Sequence, residues 1–294
     1  MEFDYNILLD QKTSLLSYAL LLMTILSVWV KRTPILWGAF LSSAVATGLI
    51  AGRVQWIALG TIIIYGSVVW AFFRIHNKPL KTIFAILIFI LSMLLWFHKL
   101  PGFQNWQIAN GLLLSPNAFP LNLYLNFDKP LIAIFLLGFG TLPLQRGIQK
   151  TINFRLLFNI IVACAIIGMI AMFANMIQWD LKFGSFFWVW ALNNLVFVCV
   201  TEEVLFRGFV QEQLSKVFSR YRIGSILALV ISALSFGLSH LGPFPYVALV
   251  TLCGIFYGTV YLKTKKIEMA IWAHFLLNAI HIIGFSYPLL ARVS

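Results

Sequence analysis

Apolar residues fill this chain in long runs that short clusters of Lys, Arg, Pro and Gly interrupt. A hydrocarbon layer roughly 30 Å thick takes ~20 residues of helix to cross, and a helix satisfies its own backbone hydrogen bonds in lipid. The runs predict ten spans, near 13–30, 34–52, 54–73, 81–97, 130–145, 156–176, 185–210, 223–240, 244–262 and 267–289. The expected fold is all-α, a polytopic transmembrane helix bundle. The longest connection, 100–129, carries Pro101, Pro116 and Pro120, with Pro130 at its edge. Its interleaved Trp106, Leu112 to Leu114 and Tyr124 predict a segment on the outer interface, where aromatic rings prefer the headgroup level. His76 and His98 lie at span ends and read as interfacial. No internal repeat, heptad run or low-complexity segment stands out.

Composition agrees with a membrane protein. Of 294 residues 61% are hydrophobic and 10% charged, against roughly 25% charged in an average soluble domain. A net charge of +12 can suggest nucleic acid, but that reading needs the bases gathered on one soluble face. Here they punctuate the spans, which excludes a nucleic-acid partner. Alternate loops hold Lys31 and Arg32; Arg74, Lys78 and Lys81; Arg146, Lys150 and Arg155; Lys216, Arg220 and Arg222; and Lys263, Lys265 and Lys266. The opposite loops hold only Lys12, Arg53, Lys99, Lys129, Lys182 and Arg292. The positive-inside rule then places the richer set in the cytoplasm and both termini outside. Glu2, Asp4 and Asp10 against Lys12 leave no basic n-region, so the first span is expected to stay uncleaved. Compact loops and no targeting segment point to a bacterial inner membrane. Cys164, Cys199 and Cys253 are odd in number and dispersed through apolar spans, which describes packing thiols rather than a disulfide framework.

Of the nine acidic residues, only Glu202 and Glu203 sit inside a long apolar stretch. A charged side chain at the bilayer centre costs about 2.5 kcal/mol or more, and such groups usually face a polar cavity or mark a functional path. Three polar clusters follow one another: Glu202-Glu203 with Arg207, Phe236 to His240, and His274 with Asn278. Positions four apart share a helix face. Glu203 can therefore pair with Arg207, and Asn278 can stand beside His274, while Glu202 turns elsewhere. On this reading Glu203 is ionised and structural, and Glu202 is the group poised for proton transfer. His240 can hold or polarise the same water, and His274 with Asn278 can donate to a developing oxyanion. Taken singly, each piece also has a plainer reading, as a packing salt bridge or an interfacial histidine. Gly254 with Gly258, and Ala233 with Gly237, stand four apart and predict close helix packing around these residues.

In this order, Glu-Glu-x-x-x-Arg, Phe-x-x-x-His and His-x-x-x-Asn resemble the three signatures of the CPBP/Abi intramembrane proteases, which include CAAX prenyl endopeptidases and bacteriocin-processing relatives. The resemblance covers roughly 185–285. It implies that Glu202 and His240 activate the attacking water, that His274 and Asn278 form the oxyanion site, and that Glu203 and Arg207 support the first motif helix. Lys182-Phe183-Gly184 precedes the span that leads into the glutamates and divides the chain into 1–184, a transmembrane region of unknown role, and 185–294, which the resemblance implies is an intramembrane protease core. Members often place Thr-Gly-Ser or Thr-Gly-Asn before the third motif, where this chain has Thr264-Lys265-Lys266.

The expected activity is hydrolysis of a peptide bond in a membrane-associated or lipid-anchored protein, in contact with the lipid bilayer. A cofactor-free glutamic site is favoured. Zinc on Glu202, His240 and His274 is the alternative, although the His-Glu-x-x-His spacing of zincins is missing. A non-catalytic membrane binding or immunity protein that keeps the fold, or a proton-coupled transporter using Glu202 and His240, are the other classes. His240 is the awkward residue. It follows Ile223 by seventeen positions, at the far end of its span, so a straight eighth helix starting at the interface predicts a site that cannot close.

Overall fold

A computed structural model describes residues 4–30, 33–140 and 154–291, without the side chains of 154–156. Of the residues used for the charge pattern, Glu2, Lys31, Arg32, Arg146, Lys150, Arg292 and the Arg155 side chain lie outside the described residues. Each apolar run contains a helix. In chain order these are α1 (Lys12–Val30), α2 (Pro34–Ile50), α3 (Trp56–Arg74), α4 (Lys78–Trp96), α5 (Pro130–Phe139) and α6 (Phe154–Phe173). Then follow α7 (Phe186–Val217), α8 (Gly224–Leu238), α9 (Phe244–Thr264) and α10 (Ile267–Gly284). Six of them, α1, α3, α4, α7, α9 and α10, are long and apolar enough to cross a membrane. Of the others, α2, α5 and α8 run to seventeen, ten and fifteen residues, and the fully described part of α6, 157–173, to seventeen, so six spans are supported among the described residues where ten were expected. The chain is an integral membrane protein, and large apolar side chains on its outer faces, such as Ile35, Ile50 and Trp56 at 84%, 79% and 76% exposure, suit lipid.

The all-α expectation needs one correction. Residues 100–129 fold into an antiparallel hairpin, β1 (Trp106–Leu112) with β2 (Leu121–Leu125), pairing Trp106 with Leu125 and Leu112 with Leu121. Leu121, Leu123 and Leu125 point inward while Asn122 and Tyr124 point out, the period-two burial of a strand with one face on a core. Trp106 is also buried, so one face of this segment packs on the protein, while Leu113, Phe119 and Tyr124 stay exposed on the other. The Tyr18 hydroxyl of α1 donates to the Leu125 carbonyl at 2.8 Å and fixes the hairpin against the bundle.

Proline opens α2, α4, α5 and α9 in their first turn, where its missing N–H would have had no partner anyway. Asn77 caps α4 by accepting from the Leu80 N–H at 3.0 Å. Helix α5 is the hub. Every residue from Pro130 to Leu137 is buried, and the helix touches α1, α3 and α7, as a helix apolar on all sides must. The small residues of α8 and α9 do pack closely: a side chain at Gly254 would meet Ala233 at 3.1 Å.

Helix α9 ends on Lys265 in the left-handed region at φ +56°, with its N–H on the Tyr261 carbonyl. This is the turn where the resembling family often has glycine. A side chain pays roughly 1 kcal/mol or more for that conformation. Lys265→Gly is therefore expected to stabilise the protein by about 1 kcal/mol, read as a higher midpoint in detergent-solubilised unfolding. No change would mean that the Lys265 side chain makes compensating contacts.

Candidate active site

Glu202 and Glu203 lie in the single α-helical turn Val200–Glu203 of α7, between two π-helical stretches, Asn194–Cys199 and Val204–Gln211. Such widened turns recur at functional sites. Both carboxylates are buried, and they face different partners. Glu203 Oε1 accepts from Arg207 Nη1 at 3.0 Å and from His274 Nδ1 at 2.8 Å. Arg207 Nη2 donates to the Gly254 carbonyl at 3.1 Å, and the guanidinium lies 4.4 Å over the Phe236 ring. The expected Glu203–Arg207 pair is thus present, and it ties α7 to α9 and α10.

Glu202 turns the other way. Its Oε2 stands 3.8 Å from His240 Nε2 and 3.9 Å from His274 Nε2, with no hydrogen-bond partner of its own. His240 Nδ1 lies 2.8 Å from the Phe236 carbonyl, which can only accept, so Nδ1 carries the proton and Nε2 faces Glu202 with its lone pair when the ring is neutral. His274 repeats the arrangement, Nδ1 against Glu203 and Nε2 toward Glu202. Three acceptors from three helical elements therefore converge on one point. A water that donates to two of them fits that arrangement, and protonation of either ring turns its Nε2 into a donor.

The feared mismatch in depth does not arise. Helix α8 has only fifteen residues, about 22 Å at ~1.5 Å per residue, shorter than the hydrocarbon layer. His240 sits sixteen residues after Gly224 and Glu202 fifteen before Val217, on two helices joined by the short turn 218–223. The short α8 ends just before His240 and brings it level with Glu202, Nε2 to Oε2 at 3.8 Å.

One cavity of about 270 Å³ is lined by Glu202, His240, His274 and Asn278 together with apolar side chains that include Ile167, Ala171, Leu249, Val250 and Leu277. Asn278 shares the cavity, while its Nδ2 donates to Asn194 Oδ1 at 3.2 Å. His281, also in the wall, meets the Ser286 carbonyl through Nε2 at 3.1 Å. Phe285, Tyr287 and Leu289 close one side. That segment is held by Leu290 N–H on the Met176 carbonyl at 2.9 Å and by Lys182, which bonds both the Phe285 carbonyl and Asp180. Asp180, in the loop between α6 and α7, is pulled below the usual carboxylate range, first by a hydrogen bond from Ser115 and then by Lys182. Among the described residues, no group of three or more His, Cys, Asp and Glu side chains is drawn together in a geometry that could hold a metal ion.

Sequence reasoning missed four contributors. Lys129, assigned to an outer loop, is buried at the head of α5 with Nζ 2.7 Å from Glu202 Oε1. Trp96 lies beneath that ammonium, 3.7 Å from ring centroid to Nζ. Asn194 holds Asn278, and Tyr257 stacks on His274 with centroids 4.4 Å apart. His98, read as interfacial, is half-exposed and contacts the buried Asp128 at 2.7 Å. A signal for Asn194 was available, since Asn193-Asn194 is a polar pair inside an apolar span.

Neither the curated proteins nor the solved structures contain a match to this chain. Residues 184–280, the third of the chain that carries Glu202, Glu203, Arg207, His240, His274 and Asn278, match the Rce1-like family model, type II CAAX prenyl endopeptidase, the CAAX-protease branch of the CPBP/Abi proteases that the three motifs resemble.

Proposed function

We propose that this chain is a CAAX-type intramembrane endopeptidase of the glutamic kind, acting on a membrane-associated or lipid-anchored protein. The observation that carries the reading is the convergence of Glu202 Oε2 with the Nε2 atoms of His240 and His274 at 3.8 and 3.9 Å on one buried cavity. Water held between Glu202 and His240 attacks the scissile carbonyl carbon, and its proton passes to the Glu202 carboxylate. The carbonyl oxygen takes up the negative charge and is met by His274 Nε2–H and the Asn278 amide. Glu203 and Arg207 do not touch substrate; Glu203 holds the proton of His274 Nδ1 in place and balances the imidazolium. Collapse of the tetrahedral intermediate breaks the C–N bond, and the leaving nitrogen takes the proton stored on Glu202. The apolar wall suits an apolar side chain or lipid moiety beside the reacting bond.

The protease core is 185–294, and 1–184 is a transmembrane region. The charge pattern supports both termini outside the cytoplasm, and the compact loops support a bacterial inner membrane. A carboxylate with two imidazoles is also a zinc donor set, which makes a metalloprotease the second reading. Against it stands the Lys129 ammonium, which already neutralises Glu202 from 2.7 Å and opposes a second cation there.

The test is hydrolysis of one internally quenched peptide with a CAAX-type end, offered farnesylated and unlipidated to the purified chain in liposomes. Cleavage of at least one form, persisting after exhaustive chelation, is expected. Loss on chelation with recovery on added zinc would replace the glutamic reading by the zinc one, and no cleavage of either form would count against a CAAX-type peptidase.

A further inference from the structure

The 1–184 region reaches into the candidate site at two adjoining points. Lys129 is the residue before α5, and its Nζ donates to Glu202 Oε1 at 2.7 Å while lying 3.7 Å over the Trp96 ring. Trp96 is the last residue of α4, and its Nε1 donates to the Ser239 carbonyl at 3.2 Å, next to His240. The same indole meets the His240 ring edge-on at 5.6 Å. The two residues are anchored in turn. Asp128 Oδ1 accepts the Lys129 backbone N–H at 2.9 Å, and Asp128 is gripped by His98 at 2.7 Å and by Asn105 at 3.2 Å. His98 lies two residues past Trp96, so the end of α4 braces both the backbone and the ammonium of Lys129.

This arrangement does more than neutralise a buried charge. A carboxylate with both oxygens free can rotate about its last torsion. With Oε1 on Lys129, Glu202 has its Oε2 left to face the two histidines, and with Ser239 tied to Trp96 the turn carrying His240 is fixed on the same support. Resting on the peptidase reading above, we propose that Lys129 and Trp96 are positioning residues that hold Glu202 Oε2 and His240 Nε2 toward one water, so that the 1–184 region is a structural part of the active site.

The test uses the full chain in detergent micelles, with the farnesylated quenched peptide as probe, and two readouts. The first is kinetic. An interaction that aligns groups for the reaction lowers kcat without weakening substrate binding. Lys129→Met is expected to lower kcat by about tenfold or more with KM within about twofold, and Lys129→Arg to recover kcat to within about threefold, since guanidinium keeps the charge and a donor. Trp96→Leu should lower kcat in the same way. A kcat for Lys129→Met equal to wild type, or a loss that Arg fails to recover, would overturn the proposal.

The second readout does not depend on the reaction. Residues in direct contact show non-additive effects on stability. Lys129→Met should lower the unfolding midpoint by stranding Glu202, and adding Glu202→Gln should bring it part of the way back. Additive losses would show that the ammonium does not clamp the carboxylate. If the wild type cleaves neither the farnesylated nor the unlipidated peptide, the peptidase reading fails by itself; if Glu202→Gln cleaves as fast as the wild type, Glu202 is not the base; in both cases the stability cycle still decides the clamp.

Discussion

Glu202→Gln is expected to abolish peptide hydrolysis, lowering kcat by about a thousandfold or more while the protein folds and elutes as the wild type does. A positioned general base contributes ~10²–10⁴ in rate, and here the same carboxylate would generate the nucleophile and store the proton for the leaving nitrogen. Glutamine matches glutamate in size, and its carbonyl oxygen can still accept from Lys129, so the buried site should keep its packing. What is lost is the ability to take a proton at Oε2, the one Glu202 oxygen with no hydrogen-bond partner. His240→Ala leaves that base in place and should cost less, because Glu202 can still take the water's proton. Turnover of the quenched peptide by purified variants in liposomes measures both. Retention of more than about a tenth of wild-type kcat by Glu202→Gln would remove Glu202 from the role of base.

The positions of the helices were legible because lipid and interior alike ask for unbroken apolar runs, and all ten runs contain a helix. Their lengths were less legible. In α5 a run that extends to 145 on paper is described as ten helical residues, buried on every side at the centre of the bundle. In α8 the apolar run ends with the helix, and hydropathy alone says nothing of which residues of α7 that end stands beside. The count back from the α7–α8 turn, sixteen residues to His240 and fifteen to Glu202, agrees with their 3.8 Å approach. The hairpin left a signal, since Leu121, Leu123 and Leu125 alternate with Asn122 and Tyr124, but the prolines around it read first as a loop.

The site was legible to the extent that its residues sit at helical spacing. Glu203 and Arg207 pair as four-apart positions should, and the three polar clusters meet. Lys129 was not legible, because counting charges by loop assigns a residue to a side of the membrane and says nothing of where a flexible four-carbon stem can reach. The direction of the Asn278 amide, toward Asn194, depends on a contact 84 residues away in the chain, which no local pattern encodes.

Arg207→Ala is expected to destabilise the protein by about 3–5 kcal/mol and to remove activity with it. Arg207 and Glu203 are both fully buried, and removing the cation leaves a carboxylate in an apolar interior with only His274 to face it. Arg207→Lys should rescue little. One ammonium cannot reproduce two guanidinium nitrogens that serve Glu203 and the Gly254 carbonyl at 3.0 and 3.1 Å while the guanidinium carbon lies 4.4 Å over the Phe236 ring. The neutral pair Glu203→Gln with Arg207→Met separates the two losses. Buried ion pairs replaced by packed neutral groups often cost little, so this double variant should unfold within ~2 kcal/mol of the wild type. It should nonetheless stay inactive, because glutamine at 203 cannot balance the charge on a protonated His274. Recovery of stability without activity in detergent unfolding and peptide turnover would place Glu203 behind His274 in the reaction as well as in the fold. Recovery of both would reduce the pair to packing.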